Sequence, residues 1–213
     1  MVLVQYIKIF ISMKKPLNEE FRRMQQLAGL ITEETKADPV ADKNAEQGLK
    51  QALAVLKAET NSIKPSPQDK EVKEGIALTL GLIASAPGLI NALGKGVNWV
   101  SKWFQKDKKT GTVVGNALKH WGHELEEAYI GVIGDMLKKS FPSTYASQDV
   151  SDKSSALYDA AHGLYAALLI GAAVASGAGA LEAHNAIIAG LEGGLGSFKT
   201  AEVIDLARKI ATI

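Results

Sequence analysis

The residues best equipped for chemistry stand together at His120-Trp121-Gly122-His123-Glu124, with Glu126 and Glu127 just beyond. On a helix, His120 and His123 share a face with Glu124 or Glu127 beside them, and such a set suits a divalent metal. A four-ligand site would need His162 or His184 as well. The order is not His-Glu-x-x-His, so the segment carries no zinc-protease signature. Read as half-exposed residues of an amphipathic helix, with His123 at an interface, the same cluster needs no metal. The expectation is no metal site, no catalytic residue, no cofactor and no small-molecule substrate. The chain also holds no Gly-x-Ser-x-Gly, no Walker lysine loop and no dinucleotide fingerprint after a strand. Gly190 to Gly196 is glycine-rich but follows a helical stretch, which fits a helix end better than a phosphate cradle.

These residues must be positioned by helices. Of the 213 residues, 46% are hydrophobic but only 6% aromatic, so the apolar content is mainly Ala, Leu, Ile and Val, with 20 glycines. That composition disfavours strands. The fold class expected is all-α: N-terminal amphipathic helices followed by an Ala/Gly-rich helical bundle or helical hairpins. Lys plus Arg (24) balance Asp plus Glu (23), which leaves no basic field for nucleic acid. Cysteine is absent, which removes disulfides and thiolate chemistry.

Four segments follow along the chain. Residues 1–12 are a short apolar extension; the change of character at Met13 suggests translated upstream sequence and a natural start there, and no secretory signal is legible. Residues 13–33 hold an amphipathic helix, with Asn18 as N-cap and Phe21, Met24, Leu27, Ala28 and Ile31 on one stripe. Residues 34–68 are a charged helix, from about Asp42 to Thr60, with its linkers. The main boundary is expected at Pro65–Pro67, and residues 69–213 form the Ala/Gly-rich helical domain. Within it, a helix from about Thr112 to Ser140 ends at Pro142, residues 141–152 read as a polar loop, and a last helix covers roughly Thr200 to Ala211.

Two uncharged runs, 75–94 and 160–181, are long enough to cross about 30 Å of hydrocarbon. The first leads into Trp99, Lys102, Trp103, Phe104 and Lys106, which resembles a membrane interface. Pro87-Gly88 interrupts it, so a kinked span, a re-entrant hairpin or two short helices of a protein core are all compatible. In the second run thirteen of 22 residues are Ala or Gly, and Gly163, Gly171, Gly177 and Gly179 are expected to let helices approach closely. Both runs are expected to be buried as paired helices, against protein or lipid. A polar cleft with converging histidines and carboxylates would count against a non-catalytic reading.

Residues 13–34, MKKPLNEEFRRMQQLAGLITEE, resemble the N-terminal peptide of proteins encoded by large tailed bacteriophages, typified by Phe-x-Arg-Met-Gln-x-Leu-Ala-Gly-Ile-Ile-x-Glu. The matching residues are Phe21, Arg23, Met24, Gln25, Leu27, Ala28, Gly29, Leu30, Ile31 and Glu33. The segment APGLINALGKGVNWVSKWF is also similar to phage virion proteins of unassigned role. In T-even-like phages such a peptide directs internal proteins into the prohead, where a protease cuts after Glu in a Leu/Ile-x-Glu context. The resemblance implies capsid targeting by Phe21, Arg23, Met24, Leu27 and Ile31, with processing between Glu33 and Glu34, although the residue after the cut is usually small.

The expectation is therefore a structural, non-enzymatic virion protein, packaged in the capsid and meeting the host membrane during genome delivery. Its partners would be other virion proteins or further copies of itself, and host lipids. Its location would be the host cytoplasm before assembly and the virion after. Two alternatives come from other classes: a holin- or toxin-like membrane-permeabilising protein, and a small helical metal-binding protein using His120, His123 and Glu124.

Overall fold

The computed structural model describes residues 39–65, 76–105, 110–191 and 199–213. These form eight helices and no strand: α1 (Pro39–Thr60), α2 (Ile76–Ser85), α3 (Pro87–Phe104), α4 (Thr110–Ser140), the one-turn α5 (Pro142–Tyr145), α6 (Ala156–Ala175), α7 (Ala180–Gly190) and α8 (Thr200–Ala211). The expected all-α class holds. The targeting-like helix with Phe21, Arg23, Met24, Leu27 and Ile31, the processing site at Glu33 and Glu34, and Lys106 lie outside the described residues.

The architecture centres on α6. Every residue from Ala160 to Ala173 is buried, with α3, α4, α7 and α8 packed around the helix. A helix apolar on all sides has no solvent face and must be enclosed. Small residues allow tight enclosure. A Cβ added at Gly171 would stand 2.9 Å from the Ala207 carbonyl oxygen of α8 and 3.3 Å from Val97 of α3. Ser155 caps the helix start by accepting the Tyr158 N–H at 3.0 Å. At its end, Ala178 N–H reaches the Ala173 carbonyl and Gly177 N–H that of Val174, both at 3.0 Å. This is a Schellman stop, and it requires the left-handed Gly177, φ +97°.

The second uncharged run is thus cut at residues 176–179 into α6 and the start of α7. Gly177 and Gly179 belong to this turn, with no foreign helix against either. Of the four glycines expected to pack helices, Gly163 and Gly171 lie in the buried helix and the other two serve the turn. Among the described residues α6 is the one helix long and apolar enough to cross a bilayer, and 83% of its apolar window is buried inside the protein.

The first run is likewise two helices. Ala86 is extended and Pro87 takes the first position of α3, where its missing N–H costs nothing. Leu89, Ile90, Leu93, Val97, Val100 and Phe104 then recur at helical spacing and are all buried. The long side chain of Lys209 donates to the Ala84 carbonyl at 2.6 Å, satisfying the end of α2.

The main boundary does not fall at Pro65–Pro67. One compact unit runs from Pro39 to Ile213, because α1 packs Ala45, Leu49, Ala52 and Leu56 against α3 and α4. Lys139 of α4 closes the end of α1, donating to the Thr60 carbonyl at 2.9 Å and to Asn61 Oδ1 at 3.1 Å.

The membrane-interface reading also changes. Phe104 is core, 3% exposed. Trp103 lies over Gly48 of α1, where a Cβ would fall 2.6 Å from its ring, and its Nε1 donates to Gln51 Oε1 at 3.0 Å. Only Trp99 and Lys102 of that set are exposed among the described residues, with the Lys102 ammonium 5.2 Å from the Trp99 ring centroid.

Candidate functional site

The amphipathic stripe of α4 that faces α6 is polar in its middle third. His123, Glu126, Glu127, Ile130 and Gly131 follow at spacings of three and four, so they share one face. Tyr158, Asp159 and His162 come from the first half of α6. Val150, Ser151 and Lys153 come from the loop between α5 and α6. Together these three segments enclose a cleft of about 520 Å³, within the size range of small-molecule sites.

The loop wall is held by its own short-range chemistry. Asp149 Oδ1 accepts the Ser151 N–H and Asp152 Oδ1 the Ser154 N–H, both at 2.9 Å. Ser155 Oγ donates to the Asp149 carbonyl at 2.9 Å, and Gln148 Oε1 accepts the Leu157 N–H at 2.8 Å. Val150 seats on Gly134, where a Cβ would stand 2.6 Å from Val150 Cγ2. The segment expected as a polar loop is therefore structured. It includes α5 and buries Phe141 and Tyr145.

The Ser151 backbone donor holds Asp149 below the ordinary carboxylate range, and the Ser154 hydroxyl and backbone do the same for Asp152. Depressed folded-state values mean that the stabilisation is present above the unfolded pKa, about 4, and is lost as pH falls through the lower folded value. Asp149→Asn is expected to lower the melting temperature at neutral pH, with the gap to the parent closing under acid. A gap independent of pH in thermal melts would show that the charge has no part in holding the loop.

At the base of the cleft His162 and Glu126 meet, with Nε2 and Oε1 2.7 Å apart and side chains 6% and 5% exposed. At that distance the imidazole nitrogen and the carboxylate oxygen are each other's partner, a charge-assisted contact closed off from solvent. Behind it, Tyr129 and Tyr165 stack with centroids 4.7 Å apart, and the Tyr129 hydroxyl meets the Leu53 backbone. Burial pushes both phenols up, and the Glu126 charge adds to the effect at Tyr165. Desolvation raises Asp159, opposed by His162, and raises Tyr158, aided by Glu126, Asp159 and Glu127. The Tyr158 ring lies 5.6 Å from that of His162.

Nearer the rim, His123 Nε2 approaches Glu127 Oε1 at 3.2 Å, both more than half exposed. His120 and Glu124 are exposed and outside the cleft, and His120 sits 6.4 Å from the Trp121 ring. The grouping of His120, His123 and Glu124 that the metal-binding alternative needs does not form. Among the described residues no three His, Asp or Glu side chains converge on a point fit for a metal ion.

Sequence reasoning named His123, Glu126, Glu127 and His162 but not the pairing of His162 with Glu126, and it missed Tyr158 and Asp159. The available signal was the spacing of three and four from His123 to Gly131, which puts Glu126 and Glu127 on the face shared with His123 and leaves Glu124 off it. The chain matches no protein family, and neither a curated protein nor a solved structure matches it.

Proposed function

We propose that the chain is a structural virion protein of a large tailed bacteriophage, carried into the capsid by residues 13–33 and cut after Glu33. The observation supporting this is where the compact unit starts. It begins at Pro39, which leaves the Glu33–Glu34 bond outside that unit. A targeting peptide must be separable from its cargo in this way. The buried α6 supports a cargo that travels as a finished fold, assembling with other virion proteins or with further copies of itself. Contact with the host envelope would require α6 to leave its surroundings, an opening driven by genome delivery.

Mass spectrometry of purified virions of the encoding phage is expected to find the protein with its first peptide beginning at Glu34. A chain made from Glu34 onward is expected to melt at the temperature of the full-length chain. Absence from virions would discard the proposal.

A further inference from the structure

The two halves of α6 are held in different ways. The second half is clasped by apolar contacts: Leu168 lies against Gly96 of α3, and Gly171 against Val97 of α3 and the Ala207 backbone of α8. The stack of Tyr165 on Tyr129 marks where this clasp begins. The first two turns instead carry the enclosed pair of His162 with Glu126, beside the open cleft. We infer that this pair is an acid-sensitive latch: protonation of Glu126 frees the first two turns of α6 from α4 while the second half stays enclosed. The inference stands apart from the virion proposal.

Three observations carry it. First, the pair is closed off from water, with both side chains almost fully buried at 2.7 Å. Acid turns the carboxylate into a neutral carboxyl and strands the imidazolium without its counter-ion. The contribution of the pair is therefore present above the ordinary carboxyl range, about 4, and is lost as pH falls below it. Second, the groups facing the pair change sign with it. Glu127 and His123 of α4, Asp159 of α6 and Lys153 of the loop line the same cleft. Protonating the carboxylates leaves the two histidines and the lysine as like charges across the seam. Tyr158, Tyr129 and Tyr165 stay neutral throughout. Asp159 works the other way: burial holds it above the ordinary carboxylate range, so its protonation relieves a cost of the closed form. Third, little packing resists opening here. The cleft leaves about 520 Å³ unfilled, and nothing stands within 4 Å of a Cβ on Gly131. The loop leading into α6 is braced by Asp149 and Asp152, whose hold on the Ser151 and Ser154 backbone also weakens in acid. Sparse local contacts of this kind are where a fold opens first.

The test is amide hydrogen exchange of the full-length protein, corrected for intrinsic rates and compared at pH of about 7, 5 and 3.5. Protection of amides 160–163 is expected to fall at least about tenfold at the lowest pH, while that of 168–173 changes less than about threefold. In Glu126→Gln only the imidazole of the pair titrates. Its opening should therefore move from the carboxyl range, about 4, up to the imidazole range, about 6.5, so that at a pH of about 5 the variant is open and the parent closed. Circular dichroism at neutral pH should show the parent's helical spectrum for this variant. Leucine at both Glu126 and His162 removes both charges and should keep 160–163 protected in acid. Asp159→Asn, which removes the opposing group, should widen the acid response. Equal loss along the whole of α6, full protection of 160–163 in acid, a Glu126→Gln variant still closed at a pH of about 5, or an acid response kept in full by the double leucine variant would each overturn the inference.

Discussion

Replacing Gly115 with alanine is expected to destabilise the protein by about 2–3 kcal/mol, lowering its melting temperature by roughly 5–10 °C. Helices α4 and α7 cross backbone to backbone at this point. A Cβ on Gly115 would stand 2.5 Å from the Ala186 carbonyl oxygen. One on Gly190 would stand 2.6 Å from the Gly115 carbonyl oxygen, and one on Gly111 would stand 2.9 Å from the Ala183 Cα. The obstructing atoms are backbone, which no rotamer change can move. The helices must separate, and the packing of Ile187 and Ala183 against the core goes with them. Gly122, on the same helix about two turns further on, meets nothing within 4 Å. There alanine should instead stabilise by about 0.5–1 kcal/mol through helix propensity and unfolded-state entropy. Denaturant unfolding of the two variants should therefore give opposite signs. Because the crossing is shared, Gly115→Ala and Gly190→Ala should be less than additive, since helices parted by one methyl admit the second more cheaply. A neutral Gly115→Ala would mean that α4 and α7 do not approach this closely.

The second large effect is expected at the buried pair. His162→Leu should cost about 3–5 kcal/mol, because it leaves the Glu126 carboxylate enclosed beside an apolar side chain. Replacing both residues with leucine should recover most of that loss, since the double variant buries no stranded polar group. The His123–Glu127 pair, one turn away and largely exposed, gives the internal comparison. Breaking it should cost no more than about 1 kcal/mol, because solvent screens both charges. A double-mutant cycle on each pair separates the two cases. A cost below about 1 kcal/mol for His162→Leu would show that Glu126 finds another donor in solution.

Local chemistry made much of the fold legible from sequence. Pro87 marks the start of a helix because it lacks an N–H, and the structure places it at the first position of α3. The spacing of Val203, Ile204, Ala207 and Ile210 places α8 over Thr200–Ala211, the span expected, with all four residues buried. The charge-free runs announce burial, and α6 is buried along nearly its whole length. What covers such a helix is not written in its own residues, since an apolar helix satisfies protein and lipid neighbours alike. The same limit misled the reading of Trp103. A tryptophan after an apolar run suits a membrane interface until Gly48 and Gln51 arrive from a helix some fifty residues away.

The sequence by itself determined the helical class, several helix ends and the density of small residues, because capping, proline geometry and hydrophobic spacing act within a few residues. Only tertiary structure decided which small residues face a neighbour. Gly171 lies against α8 while Gly177 and Gly179 merely turn the chain, and the closest crossing falls instead at Gly111, Gly115 and Gly190. It also decided that His162 meets Glu126 rather than joining His120, His123 and Glu124. Each residue along a helix rotates the side chain by about 100°, so the face that α4 turns toward α6 selects one carboxylate and discards its neighbour. That rotation is set by the packing of the whole bundle, to which no short stretch of sequence has access.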